Sequence, residues 1–402
     1  MVTFGEVARN VKNVIDRETC DLDRYIAGEH MKTDDLHIRK WGTINGDYLG
    51  PAFHCKFEKG QILYGSRRTY LRKVAIAPFD GICANTTFVI EPKGDAMIPE
   101  ILPFLMQSEG FNQYSIQHSK GSTNPYIIWR DLAAYTFPLP PIDEQRRIAK
   151  ILWAAEDVIV KNETFVAEVE HYKQLMMQDL FSKGIGHEEY KLINEFEVPR
   201  EWALVSLKSV LSERIVNGYS APEVKEFEPV DILTLTAVTQ NEIARRHTKQ
   251  IRADPKRIEN YWIQKDDIFI ERSNTKELVG LASLYDKDDS FAIFPDILIR
   301  VRPNQQKIVP KYLVEYLRSP KMRLYFSTRA KGTAGSMVKI DHNTVESLPL
   351  PLPPLPEQRQ IAAILSATDD TIAAAQADVK ASKTLKMRLI NQLLSPPARS
   401  DD

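Results

Sequence analysis

The sequence predicts an α/β (α+β) chain: two regions of mixed sheet plus helices, separated by two long helices that form an antiparallel coiled coil, in an internal pseudo-two-fold duplication. Three observations predict it. Residues 138–159 (PLPPIDEQRRIAKILWAAEDVI) and 351–372 (PLPPLPEQRQIAAILSATDDTI) are identical at 14 of 22 positions at a shift of 213. Each segment opens a long run of residues spaced alternately three and four apart and mostly apolar. The stretches before each carry short strand-like runs bounded by Gly, Pro, Asn or Asp. Two copies at so long a period indicate duplication and not a solenoid.

Taken in order, the chain divides into residues 1–137, a first globular region; 138–185, a proline arm and spacer helix; 186–350, a second globular region; 351–395, a second arm and helix; and 396–402, a disordered tail. Val2-Thr3-Phe4-Gly5-Glu6-Val7 is echoed by Val205-Ser206-Leu207-Lys208-Ser209-Val210. Strands are expected at 61–64, 74–77 and 87–90 in the first region, and at 267–270 and 296–301 in the second. One helix per copy fits 98–118 and 309–329, which align without a gap and share Pro99/Pro310 and Ser108/Ser319. Val198-Pro199-Arg200-Glu201-Trp202 marks entry to the second region. PLPP cannot be helical at each prolyl position, so it forms an extended arm.

The seam of the first long helix reads Ile148, Leu152, Ala155, Ile159, Asn162, Val166, Val169, Lys173, Met176 and Leu180. That of the second reads Ile361, Leu365, Thr368, Ile372, Ala375, Val379, Ser382, Lys386, Leu389 and Leu393. About 40 residues at 1.5 Å each make each helix about 60 Å long. Packing the two helices together covers both seams. Asn162 within the seam is either a tolerated polar position or a register device. Gly184-Ile185-Gly186 stops the first helix and Ser395-Pro396-Pro397 the second.

Composition narrows the function classes. A hydrophobic content of 43% supports real cores. The start Val2-Thr3-Phe4-Gly5-Glu6 has no signal-peptide character, and hydrophobic runs are too broken for a transmembrane helix. Cys20, Cys55 and Cys83 form no C-x-x-C pair, which suits a reducing cytoplasm and excludes a zinc ribbon. The net charge is -1 and the pI about 6.7. Residues 1–137 carry 16 cations and 16 anions, and residues 186–350 carry 25 and 24, so neither region is a basic module.

No G-x-G-x-x-G, Walker A, H-E-x-x-H or G-x-S-x-G motif is present, and the eight histidines lack metal-ligand spacing. Asn124-Pro125-Tyr126 falls one proline short of a methyltransferase loop. Asp80 with Glu91-Pro92-Lys93 resembles the carboxylate set of a metal-dependent nuclease, but Pro92 favours a turn after strand 87–90. Lys120-Gly121-Ser122-Thr123-Asn124, paralleled by Lys331-Gly332-Thr333-Ala334-Gly335-Ser336, serves either as phosphate-contacting donors or as a glycine turn after a helix. Ser66-Arg67-Arg68-Thr69-Tyr70-Leu71-Arg72-Lys73 and its counterpart Arg272-Ser273-Asn274-Thr275-Lys276 are candidates for base reading, against the plainer reading of a solvated charged surface.

The repeated PLPP-x-x-EQR-x-IA-x-IL arm and helix resembles the specificity subunit of type I restriction-modification systems over nearly the whole chain. The signature is Pro138-Leu139-Pro140-Pro141, Glu144-Gln145-Arg146, Ile148-Ala149 and Ile151-Leu152, and it recurs at Pro351 through Leu365. Tyr25-Ile26-Ala27-Gly28-Glu29-His30, Tyr70-Leu71-Arg72-Lys73-Val74-Ala75, Phe79-Asp80-Gly81-Ile82-Cys83 and the Trp202 lead-in resemble the same family; the first copy has no such Trp lead-in.

The resemblance implies that each globular region is a target recognition domain reading one half of a split site in double-stranded DNA. Within such domains the basic clusters and glycine loops offer DNA contacts through Arg67, Arg68, Tyr70, Arg72, Lys73, Lys120, Ser122, Asn124, Arg272, Asn274, Lys276, Lys331, Thr333 and Lys339. The resemblance implies spacer and partner-docking roles for Glu144, Gln145, Arg146, Ile148, Leu152, Ile159, Asn162, Glu357, Gln358, Arg359, Ile361, Leu365 and Ile372. Two methyltransferase subunits, which bring S-adenosylmethionine, and motor-nuclease subunits, which bring ATP and Mg, are the implied partners. The chain itself is then non-catalytic, binds no cofactor or metal and needs no membrane. Two other classes compete with this reading: a non-DNA scaffold carrying two α/β binding modules, and an autonomous nuclease using Asp80, Glu91 and Lys93.

Overall fold

A computed structural model describes residues 1–16, 21–44, 49–220, 226–239, 241–332 and 337–394. Cys20, the Thr333–Ser336 part of the second glycine loop, the Ser395-Pro396-Pro397 stop and the 396–402 tail lie outside the described residues. The chain divides into two compact units, Met1–Thr164 with Gln376–Asp402, and Phe165–Ala375. Each long helix, Ile142–Leu180 and Leu355–Leu394, is therefore shared between the units.

The first unit is built on a four-stranded antiparallel sheet, in the order Ala8–Val11, Thr87–Pro92, Ile62–Gly65, Val74–Ile76. Successive side chains of a strand point to opposite faces, and here both faces are covered. Ile62, Tyr64, Val74 and Ile90 face Leu102, Phe104, Phe111, Ile148, Leu152 and Ile390. Leu63, Ala75 and Val89 face Ile26, Phe57 and Cys83 of a second, five-stranded sheet. Two-sided burial explains why these strands read as continuous apolar runs. Thr87–Pro92 runs past the turn expected after residue 90. Pro92 is its last residue, opposite Ala8, where its missing N–H costs little.

The second unit repeats the plan. Its four-stranded sheet, Val216–Asn217, Leu298–Val301, Ile268–Glu271, Ala282–Leu284, is antiparallel throughout. Ile268 and Ile270 join one core with Leu313, Leu317, Ile361 and Leu365, while Phe269 joins another with Phe294 and Leu298. The echoed start segments take the same place in each copy. Thr3 pairs with Thr136, and Ser206 pairs with Pro349 at the head of the proline arm.

The single helix expected at 98–118 is two, Leu102–Gln107 and Glu109–Gln117, and that expected at 309–329 is Pro310–Arg318 and Pro320–Arg329. Ser108 and Ser319 cause both breaks. Each leaves the helical region (ψ 150 and 151) and caps the next helix, its Oγ accepting from Phe111 N and Met322 N.

Within each unit the long helices run antiparallel. In the first, Glu156 bonds Lys386 (2.8 Å) and Glu163 bonds Lys383 (2.6 Å), so position rises along one helix as it falls along the other. In the second, Lys173 bonds Asp369 (2.7 Å), and Met177 and Phe181 share a core with Ile361 and Leu365. All the seam positions are buried or half-buried. Asn162 reaches Ser382 Oγ only at 3.5 Å, so the charged pairs carry the firmer register contacts.

Candidate nucleic-acid interface

In the first unit two clusters about 50 residues apart in sequence meet at one edge. The Ser66–Lys73 loop leaves strand Ile62–Gly65, and the 120–126 loop folds against it. Lys120 and Tyr126 exchange backbone bonds (2.8 and 2.9 Å), Arg68 N donates to Pro125 O (2.6 Å), and Ile127 N donates to Ser66 O (2.9 Å). Arg68 Nε donates to Asn124 Oδ1 (2.8 Å), and Thr69 Oγ1 meets Ser119 Oγ at 2.9 Å. Arg68 and Arg72 both hold left-handed backbone (φ 50 and 51) around the single turn Thr69–Leu71. Non-glycine residues persist there only where the surroundings over-determine them, and such residues cluster at functional sites.

The members of this edge differ in what they offer. Arg67, Tyr70 and Ser122 are exposed, and Arg67 has no side-chain hydrogen bond or ion pair to any described residue. Lys120 pairs with Asp131 at 2.8 Å. Arg72 is committed inward: it bonds Asp34 (2.8 Å), Glu109 (2.6 Å) and Gln107 O (3.0 Å), which makes it a strut of the loop. Lys73 likewise donates to Gly28 O.

The second unit brings its own two clusters together in the same way. Ser273 pairs with Lys339, Asn274 with Val338, and Lys331 exchanges backbone bonds with Lys339 (2.8 and 2.9 Å). Lys276 and Lys339 are exposed, without a side-chain partner among the described residues. Asn274 is buried, with Nδ2 on Glu271 Oε2 (2.6 Å) and Oδ1 accepting from Thr275 N (2.8 Å), so its amide faces the interior. Arg272 reaches Asp296 O at 3.4 Å, and Lys331 pairs with Asp341 at 3.0 Å. Thr333 lies outside the described residues.

Of the residues assigned to spacing and docking, Ile148, Leu152, Ile159, Ile361 and Leu365 are buried, and Ile372 is half-buried. Gln145 and Gln358 are fully buried and make the same three bonds. Gln145 Oε1 accepts from Ile98 N (2.9 Å), and its Nε2 donates to Ala96 O (2.9 Å) and Pro140 O (2.8 Å). Gln358 does so with Val309 N (2.8 Å), Lys307 O (3.2 Å) and Pro353 O (2.9 Å). Both therefore clasp the arm and helix start within their own unit. Glu357 accepts from Trp202 Nε1 (2.9 Å) and Ile185 N (2.9 Å) and meets His187 Nε2 (2.8 Å). Its counterpart Glu144 is half-exposed beside Arg147. Arg146 and Arg359 are exposed.

Among the described residues, one group of three side chains could gather round a metal ion: Asp35, His37 and Glu156. The protein supplies its own cations there. Lys386 bonds Glu156 (2.8 Å), Arg39 bonds Asp35 and Glu163, and His37 Nδ1 lies 3.2 Å from Glu156 and 3.6 Å from Asp35. The carboxylates of Asp35 and Glu156 beside its ring raise His37 to about 9 against the effect of burial. Burial pushes Asp35 upward, but its bonds with His37 and Arg39 prevail and leave it at about 2. The suggested nuclease set does not assemble: Asp80 accepts from Lys59 N (2.8 Å), Glu91 bonds Arg9 and Gln61, and Lys93 donates to Gly5 O (3.2 Å).

Sequence reasoning passed over a basic band in the second unit. Arg245, Arg246, Lys249, Arg252, Lys256 and Arg257 are all exposed on and beside strand Thr248–Arg252. Arg245 and Arg246 pair with Asp289 and Glu242, and Arg252 donates to Phe227 O (2.7 Å). Six cations stand against Asp254 and Glu259 in residues 244–259, a local excess that the regional totals hide.

Residues 22–170 and 199–381 both match the family model for the type I restriction modification DNA specificity domain. The chain belongs to this specificity family. Among curated relatives, the putative type I restriction enzyme MjaX specificity subunit of Methanocaldococcus jannaschii is 29% identical over 211 residues, covering 52% of this chain and 49% of the relative. The MjaVIII specificity subunit of the same organism is 24% identical over 323 residues, covering 79% and 75%. The EcoDI specificity subunit of Escherichia coli is 29% identical over 199 residues, covering 48% and 44%. The chain thus spans about half the length of two of these specificity subunits and three quarters of the third. A chain solved in work on complex assembly and conformational transition of the type I R-M system shares the fold, with a TM-score of 0.58 at 20% identity, covering 98% of this chain and 97% of that one. The S subunit from M. genitalium gives 0.52 at 13% identity, covering 98% and 96%.

Proposed function

We propose that the chain is the DNA sequence-specificity subunit of a type I restriction-modification complex, each unit reading one half of a bipartite duplex target. The observation that carries this reading is the repeated meeting of two clusters at one edge: residues 66–70 with 120–126, and residues 272–276 with Lys331, Val338 and Lys339. The two edges carry different side chains, as reading an asymmetric target requires, whereas an identical dimer would read a palindrome. Arg67 and Arg68 have the fork geometry for guanine edges. Lys276, Lys339 and the band from Lys249 to Arg257 suit phosphates, which position a protein on the duplex. Ile151 and Val158 are exposed in the first unit, and Phe165, Tyr172 and Leu175 in the second; each set is offered for docking by one methyltransferase subunit. S-adenosylmethionine belongs to those subunits, and ATP and Mg to motor-nuclease subunits; this chain contributes no catalytic group and works in the cytoplasm. No helix among the described residues is long and apolar enough to cross a membrane.

Coexpression with methyltransferase subunits, followed by genome-wide mapping of methylated adenines, tests the reading. A bipartite motif is expected. Replacing Arg67, Arg68, Arg272 and Lys276 by Ala is expected to reduce methylation at that motif by about tenfold or more, since a base-reading arginine contributes ~1–3 kcal/mol. Unchanged methylation would favour a scaffold that does not read DNA.

A further inference from the structure

Beside the reading edge of the first unit lies a cleft of about 490 Å³. Its size falls within the range of pockets that enclose a small ligand, roughly 300–1,000 Å³. Phe88 and Trp129 form part of its wall. Their rings meet at right angles, 6.0 Å apart, and are braced behind by Tyr64 and Phe4. Tyr126, 43% exposed, belongs both to the cleft and to the edge. Lys12 and Arg67 line the cleft, are exposed, and have no side-chain hydrogen bond or ion pair to any described residue. None of the described lining residues is acidic.

Flat aromatic walls beside unpaired cations suit a ligand with a planar ring and a negative charge. The edge of an intact duplex is convex and cannot fill such a hollow, whereas a nucleotide turned out of the stack can. Enzymes that methylate a base in DNA extrude it from the helix, which leaves its neighbours and its pairing partner easier to displace. The geometry points to the cleft as the seat of one unstacked nucleotide of the target DNA, its base against Phe88, Tyr126 and Trp129 and its phosphate at Lys12. This rests on the DNA-specificity reading above. Free ATP shares the chemistry, a planar ring with phosphates, and the experiment separates the two sources.

The full chain, assembled with its methyltransferase subunits, is titrated with duplexes that carry the mapped motif and a single mismatch at each position of the first half-site in turn. A mismatch removes the cost of unpairing beforehand, so binding is expected to tighten about tenfold at the position whose nucleotide enters the cleft. The methylated adenine is expected to show its own gain. In the Lys12→Glu variant the first gain disappears and the adenine gain persists, which also shows that the variant is folded and assembled. The proposal is overturned if no position other than the adenine responds, or if the Lys12→Glu variant keeps both gains. It is also overturned if ATP binds the isolated full chain in a Lys12-dependent way while no mismatch gain is seen. Failure of the DNA-specificity reading looks different: the wild-type assembly then selects no duplex, and the proposal falls with it.

Discussion

His37 shows how far a single residue's chemistry depends on its neighbours. The carboxylates of Asp35 and Glu156 beside its ring favour the charged form, and Lys386 and Arg39 balance them. With the folded value raised from 6.5 to about 9, the stabilisation is fully present below pH 6.5 and is lost as pH rises through 9. The side chain is 38% exposed, so solvent screening reduces the contribution to about 1 kcal/mol. The chain is therefore expected to lose about that much stability between pH 7 and pH 10, and His37→Gln should flatten this part of the profile, as read by urea denaturation at each pH. A slope unaltered in His37→Gln would remove the histidine from the account. In the sequence His37 is one of eight scattered histidines, with no spacing signal, because Glu156 lies 119 residues away.

At the scale of elements, pairs of helices and their entrances carry the shared architecture. The Gln145 and Gln358 clasps were legible as part of the repeated EQR signature. Their work was not, because the Ile98 and Val309 N–H groups that they satisfy come from distant loops. The Ser108 and Ser319 breaks were hidden for a different reason: apolar periodicity continues through a capped break, and the extended ψ of one serine leaves no mark on it. Lys386 and Lys173 are polar residues in apolar seams, and each answers an acid on the facing helix. Lys386 and Glu156 are almost fully buried. Removing one partner of such a pair strands the other charge, at a cost of ~3–5 kcal/mol. Lys386→Met is expected to destabilise the chain by about that amount, and the double exchange Lys386→Met/Glu156→Gln, which leaves no carboxylate stranded, should recover at least half. If Lys386→Met melts like wild type in calorimetry, the pair does not hold the register.

The whole molecule is a duplication whose copies have kept the sequence of their long helices and changed that of their sheet regions. Each long helix gives one part to each unit. The Ile142–Leu180 helix, at 39 residues and 1.5 Å per residue, is about 58 Å long. Half-site spacing is a geometric constraint in DNA recognition. Removing one heptad from each helix, 160–166 and 378–384 around the Asn162–Ser382 contact, keeps the apolar phase and shortens both helices by about 10 Å. The methylated motif is then expected to keep its two half-sites and change the distance between them, or the complex should fail to assemble. An unchanged spacing in the mapped motif would refute the helices as a ruler.

The duplication, the long helices, the apolar sheet strands and the membership of the family were all present in the chain's own pattern. Repeats, heptads and arms are local, and local patterns survive in one dimension. Which cations stay free was settled by folding. Arg67 and Arg72 are equal members of one charged run, yet Arg72 meets Asp34, Glu109 and a carbonyl while Arg67 meets none of them. The near-neutral charge likewise concealed an exposed basic strand, because totals ignore position. A charge acts through the partners within a few ångströms of it, and for most of these residues those partners lie tens of residues away along the chain.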